Sequence, residues 1–177
     1  MTDESRRTAN LLGAAVLCLH DELKTVLARQ FHRSGEGPAA LCALGHQPGL
    51  SNDALSRLLD LTHTGTVRLI DRLAEDGLVR RQAAEHDKRS VALFLTEAGQ
   101  AARENILRER LAALEAVTGG LSDDEQKDLT RLLEKLLQAA AGDDTHKLRT
   151  CRLCDSRVCT NCPILVPVNG PDRGVRQ

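Results

Sequence analysis

Phe31 and Phe94 are the only aromatic residues of this chain, which contains no Trp and no Tyr. Aromatic rings normally supply much of the area that a core buries. Here the core must be assembled from Leu, Ala and Val. Such a set suits helices packed on helices better than a sandwich of strands, which draws on aromatic and β-branched side chains. The 177 residues give room for one domain, or one domain with a small appendage. Lys and Arg number 24 against 25 Asp and Glu, for a net charge of −1. That balance argues against a basic, non-specific nucleic-acid coat. It leaves room for a sequence-specific DNA binder, because only the contacting surface needs positive potential.

Near the start, Arg6 and Arg7 precede an apolar run over residues 11–19 that ends near Cys18. A secretory signal is not expected from it: Asp3 and Glu4 sit among the basic residues, and Leu17 before Cys18 is not a small cleavage residue. Apolar residues recur instead at helical spacing, at Leu12, Val16, Leu19, Leu23 and Val26, and predict one amphipathic helix over residues 5–32. No stretch reaches the length of a membrane span. The expected location is the cytoplasm.

Gly and Pro near residues 34–38 punctuate the chain, and Pro38 suits the first position of a second helix over residues 38–45. Ser51 reads as the N-cap of a short third helix, and Thr62 as the cap of a fourth that stops at Gly77. On the fourth helix Val67, Ile70 and Leu73 form the expected inward stripe, while Thr64, Arg68 and Arg72 recur at i, i+4 and i+8 and point outward. Two short apolar runs, residues 78–82 and 91–95, flank a charged turn and predict a β-hairpin. Thr96 opens a fifth helix that ends at Gly119-Gly120. Ser122 and Glu125 form a capping box for a sixth, whose apolar face carries Leu129, Leu132, Leu133, Leu136 and Leu137.

Helix, tight turn, helix and hairpin in that order predict a winged helix-turn-helix, mainly α with a small β-hairpin wing. The second helix of such a pair presents its first residues to base edges in the major groove. The candidate DNA contacts are Ser51, His63, Thr64, Thr66, Arg68 and Arg72, with Arg72 better placed for phosphate. Lys88 and Arg89 at the hairpin tip are candidates for the flanking minor groove, where negative potential favours Arg. An exposed arginine row by itself is commonly just a solvated helix face. The hairpin behind it is what favours the DNA reading.

These residues resemble the MarR family of bacterial regulators. Asp71-Arg72-Leu73 followed by Gly77-Leu78-Val79 matches the end of the family's recognition helix. Asp87 with Arg89 matches its Asp-x-Arg wing element, and Leu95-Thr96 with Gly99 matches its Leu-Thr-x-x-Gly element. The resemblance covers roughly residues 10–140. It implies a dimeric architecture over residues 1–142, with dimerisation helices at about 5–34 and 96–142 and a DNA-binding lobe at about 38–95. It also implies a homodimer on a pseudo-palindromic operator in double-stranded DNA, repression relieved by a small-molecule effector or an oxidant, and an Asp87 that orients the wing arginine. His63 departs from the small polar residue common at its position.

Residues 143–177 read as a Cys-rich tail. Cys151, Cys154, Cys159 and Cys162 follow C-x2-C-x4-C-x2-C, and two C-x-x-C steps supply four thiolates to one centre. Tetrahedral zinc is one occupant. The other is a [2Fe–2S] cluster, since C-x4-C-x2-C is a plant-type ferredoxin spacing. Basic neighbours at Lys147, Arg149, Arg152 and Arg157 offset the negative charge of either one. Metal-free thiol sensing is a third reading, and disulfide stapling is opposed by a reducing cytoplasm. Cys18 and Cys42 are expected as small core residues, and the segment after Cys162 as loosely packed.

No Ser-His-Asp grouping, phosphate loop or His-Glu metalloprotease pattern is present, so an enzyme is not expected. The expected function is a transcriptional repressor responding to redox state, metal or cluster occupancy, or a small ligand. The alternative is a winged-helix protein-interaction adaptor with a structural zinc clip.

Overall fold

In the computed structural model, residues 2–30, 36–83, 91–140, 142–159 and 162–164 are described. Helices α1 (Asp3–Gln30), α2 (Gly37–His46), α3 (Asn52–Leu59) and α4 (His63–Glu75) precede the hairpin strands β1 (Val79–Ala83) and β2 (Val91–Leu95). Helices α5 (Glu97–Thr118), α6 (Asp123–Ala140) and α7 (Asp144–Cys151) follow. The expected boundaries of α2 to α6 hold to within a residue or two. The caps hold as well: the side chains of Ser51, Thr62 and Thr96 accept from the backbone N–H of Ala54, Gly65 and Gly99.

Leu41, Leu44, Leu55, Ile70, Leu93, Ile106 and Leu107 form the fully buried centre. It lies where α2, α3, α4 and β2 meet the middle of α5, and no aromatic side chain is needed to fill it. The strands pair antiparallel, with Val79 opposite Leu95 and Ala83 opposite Val91. Leu50, just before α3, also bridges to Leu93: Gly49 N–H donates to the Leu93 carbonyl and Leu93 N–H to the Leu50 carbonyl, both at 2.9 Å. The hairpin is thereby tied to the entrance of the helix pair.

Thr96 joins three elements at one hydroxyl. Its Oγ1 donates to the Gly77 carbonyl at 2.6 Å and accepts from Gly99 N–H at 3.0 Å. A Cβ on Gly99 would lie 2.0 Å from the Leu78 carbonyl oxygen. Only glycine lets α5 start so close to the end of α4, which gives the Leu-Thr-x-x-Gly element its physical meaning.

Three expectations need correction. Cys18 is exposed, whereas Cys42 is buried as expected: Cys18 lies on a stretch of α1 where Leu11, Leu12, Val16 and Leu17 are exposed as well. On α4 the buried stripe is Thr66, Leu69, Ile70 and Leu73, with Val67 only half-buried. The region past Ala140 does not simply fade into a tail. Asp143 caps α7 by accepting from His146 N–H at 2.8 Å, Leu148 and Leu153 pack against the core, and Ile164 is buried.

Helix α6 has no buried residue, and Leu132, Leu133, Leu136 and Leu137 are exposed on it. No helix among the described residues is long and apolar enough to cross a membrane.

Candidate nucleic-acid interface

Helix α3 ends on Asp60 in the left-handed region, at φ 59°. Asp tolerates that conformation better than most residues. Leu61 N–H donates back to the Ser56 carbonyl at 3.0 Å, the long bond of a helix-terminating motif that turns the chain sharply. Thr62 follows at once as the cap of α4, so the turn is two residues deep and rigid at both ends.

With Leu69, Ile70 and Leu73 buried, helical geometry puts Thr64, Arg68 and Arg72 on the opposite side, and all three are exposed. Arg72 Nε donates to the Arg68 carbonyl at 3.2 Å, which lays its side chain along the helix. The first turn of α4 carries no acidic residue, so the positive end of the helix dipole is not neutralised from within.

Thr66 does not belong to this face. It is fully buried, and its hydroxyl donates to the Thr62 carbonyl at 3.1 Å. A residue two positions after Thr64 is turned about 200° around a helix, toward the core rather than the groove. Ser51 is exposed and spends its hydroxyl on the α3 cap. His63 is held in place: its Nδ1 lies 2.7 Å from Asp53 Oδ1 on α3. Asp53 was not anticipated as a site residue, and ten intervening residues give no local signal for the pair.

Behind α4, Arg81 of β1 reaches Asp71 at 2.5 Å, fastening the hairpin to α4. The Arg80 guanidinium lies 5.0 Å from the centroid of Phe94 across the hairpin. Both pairings were also missed in the sequence. Asp87, Lys88 and Arg89 lie outside the described residues.

The cysteine module sits at the far end of α3. Arg149 of α7 donates through Nε to the Arg57 carbonyl at 3.1 Å and pairs through Nη2 with Asp60 Oδ1 at 2.5 Å. It thus satisfies one carbonyl that the end of α3 leaves without a helical partner. Beyond it, Cys154 N–H donates to the Cys151 carbonyl at 2.9 Å, and Cys159 N–H to the Asp155 carbonyl at 3.2 Å. The Asp155 carboxylate accepts from the Arg157 backbone N–H and takes its guanidinium in two bonds, at 2.9–3.0 Å. Hydrogen bonding from the Arg157 side chain holds the Asp155 carboxyl down at about 2.

The four thiols form a chain of contacts. Cys151 hydrogen-bonds with Cys154 and Cys162, and Cys159 with Cys162. The bond from Cys151 draws Cys154 down to about 6, with a further pull from Arg110, and the same bond pushes Cys151 up. Desolvation, then Cys162, raises Cys159. Cys162 Sγ also donates to the Ile164 carbonyl at 2.9 Å. These contacts are pairwise. Among the described residues no group of three sulfurs, imidazoles or carboxylates converges on one metal position.

A capped helix pair closed from behind by a hairpin, with a basic row on its second helix, defines the class of this protein as a winged helix-turn-helix. Comparison with known proteins agrees. Residues 39–90 match the sequence model of the MarR family. A MarR family protein from Bacillus stearothermophilus superposes with a TM-score of 0.69 at 27% identity, over 78% of this chain and 97% of that one. In this segment and in its fold the chain is similar to MarR family proteins.

Among curated relatives, a putative transcriptional regulatory protein for the hcr operon of Thauera aromatica is 30% identical over 96 residues, 54% of this chain and 58% of that protein. The HTH-type transcriptional repressor YetL of Bacillus subtilis (strain 168) is 32% identical over 89 residues, 50% of this chain and 53% of that protein. The chain therefore spans little more than half the length of these relatives. Both relatives are named for transcriptional regulation.

Proposed function

We propose that this chain is a cytoplasmic, sequence-specific DNA-binding transcriptional repressor that works as a homodimer. The observation that carries the reading is the exposed row Thr64, Arg68 and Arg72 on the side of α4 opposite its buried stripe. On an operator, Thr64 and Arg68 contact base edges, and Arg72 and Ser51 contact phosphates. His63 enters the backbone contact with its ring already oriented by Asp53. Lys88 and Arg89 reach the adjacent minor groove, with Asp87 supporting Arg89. The relatives named a transcriptional repressor and a putative operon regulator support the same function.

The homodimer is supported by apolar surface that the single chain leaves uncovered. Leu11, Leu12, Val16 and Leu17 of α1 and Leu132, Leu133 and Leu136 of α6 are all more than 40% exposed, an arrangement that marks an interaction surface. Two-fold symmetry then requires a pseudo-palindromic operator with half-sites about one helical turn, ~10 bp, apart. An effector acts by favouring one spacing of the two recognition helices over another. Redox state, occupancy of the cysteine module and a small ligand are the candidate inputs.

The test is selection of genomic DNA fragments by the purified protein, followed by fluorescence anisotropy on the enriched fragment and on a scrambled one. Enrichment of a pseudo-palindrome with at least a hundredfold preference, roughly 3 kcal/mol, is the expected result. No enriched fragment, with equal weak binding to both, would sink the repressor reading in favour of a protein-interaction adaptor.

A further inference from the structure

The C-terminal module contains a ligand set that the winged helix does not use. We infer that Cys151, Cys154, Cys159 and Cys162 bind one thiophilic metal centre, and that its occupancy clamps α7 onto the end of α3. The centre is a zinc ion or a [2Fe–2S] cluster. Both need four thiolates, and the two are told apart below.

Two backbone turns of such a site are in place, whereas the sulfurs do not yet converge on one metal position among the described residues. A turn closed by Cys154 N–H on the Cys151 carbonyl makes the first C-x-x-C step. The four-residue gap, short for a zinc site, is taken up by one helical turn in which Asp155 accepts from Val158 and Cys159. Cys162 acts electrostatically on both Cys151 and Cys159, and binding a metal would draw the four sulfurs together. Pairwise contacts between four thiols are a poor end state. Each S–H is a weak donor and each sulfur a weak acceptor, whereas four thiolates on one cation form strong bonds. When zinc binds, four Zn–S bonds form and four thiol protons pass to solvent, leaving a centre of net charge −2. The charge of Arg110 lowers the Cys154 thiol, and Arg152 folds over the end of α7 to donate to the Arg149 carbonyl, so positive charge is at hand.

The clamp follows from chain connectivity. Cys151 is the last residue of α7, and Arg149 two residues earlier holds Arg57 and Asp60 at the turn between the two DNA-reading helices. That docking seam is an open, polar groove lined by Arg57, Asp60, His146 and Arg149. Ionic contacts across such a groove are weak by themselves. A metal that fixes the end of α7 would hold Arg149 in register. Binding of a metal by this module does not depend on whether α4 reads DNA, so either idea can fail alone.

The experiment uses the full chain, purified anaerobically, with zinc, iron and sulfide analysis and a titration of reactive thiols in the native state. About one zinc per chain in a colourless protein, or iron and sulfide in equal amounts with visible absorption, is expected, with the four C-terminal thiols protected. C151S and C162S lose the metal, and C18S keeps it. Should the protein hold no metal, take up none from stoichiometric zinc and expose all four thiols, the site does not exist. Equal metal content in wild type and a C151S/C162S double variant would place the metal elsewhere and overturn it as well. For the clamp, removing the metal with a chelator raises amide exchange in both α7 and residues 57–61. Unchanged exchange at residues 57–61 would refute the coupling.

Discussion

His63, the first residue of α4, places Nδ1 at 2.7 Å from Oδ1 of Asp53 on α3, across the turn of the helix-turn-helix. The pair is exposed on both sides, at 63% and 67%. It therefore contributes little to folding. Its consequence is that the ring faces outward in one orientation before any DNA arrives.

Asp53→Ala should leave thermal stability nearly unchanged yet weaken operator binding by about 0.5–1.5 kcal/mol, roughly two- to twelvefold. Anisotropy titrations beside thermal melts separate the two effects. Equal affinity for the variant and wild type would show that the ring needs no orienting partner.

Thr96 and Gly99 carry the joint between recognition helix, wing and α5. Thr96→Ala removes both a cap and a hydrogen bond to Gly77 and should cost about 1–2 kcal/mol in urea unfolding. Gly99→Ala forces a methyl group against the Leu78 carbonyl. Backbone cannot yield as a flexible side chain would, so its cost should be larger, on the order of 3 kcal/mol. If the glycine variant proves the more stable of the two, the close approach at Leu78 is misplaced.

Burial, only partly offset by Arg103 and Arg110, pushes the Cys42 thiol up to about 12. At neutral pH it is protonated and resists alkylation in the native protein. In an unfolded chain the thiol ionises near its ordinary 9.0, while the folded form keeps its proton. Its contribution to stability is thus intact below pH 9 and lost as pH rises toward 12. Cys42→Ala should lose stability less steeply over that window than wild type. Parallel curves would mean that Cys42 is not buried as described.

Much of the fold was legible because short-range rules settle it. Ser51, Thr62, Thr96 and Ser122 stand at helix starts with the side chains that caps require, and the structure uses each one as a cap. The four-cysteine spacing was equally plain. What local pattern could not supply was contact at a distance. Arg149 with Asp60, Arg81 with Asp71, and His63 with Asp53 join elements whose separation carries no periodic signal. Thr66 was misread for a related reason: a polar residue on a recognition helix looks like a base contact until the packed face is known. Helix α7 was lost because a run of Asp, Thr, His and Lys has no apolar stripe, and its stability comes from its cap and from docking on α3.

The uncovered leucines of α6 give a direct test of assembly. A Leu132→Asp/Leu136→Asp variant should turn a dimer into a monomer by light scattering, because two carboxylates would have to be buried in an apolar interface. Its α3–α4 lobe should stay folded, as α6 buries none of its residues in that core. A variant that remains dimeric would move the interface away from α6.

The central claim is that the outward row of α4 reads bases. It is tested most directly by measuring the sequence preference of wild type and Arg68→Ala at every position of the selected operator, at one salt concentration. The account predicts that the variant loses about 1–3 kcal/mol and relaxes its preference at one symmetry-related pair of positions, leaving the others as sharp as before. Weakening that is uniform across all sequences would make Arg68 a phosphate contact. A preference and affinity identical to wild type would contradict the assignment of α4 as the reading helix.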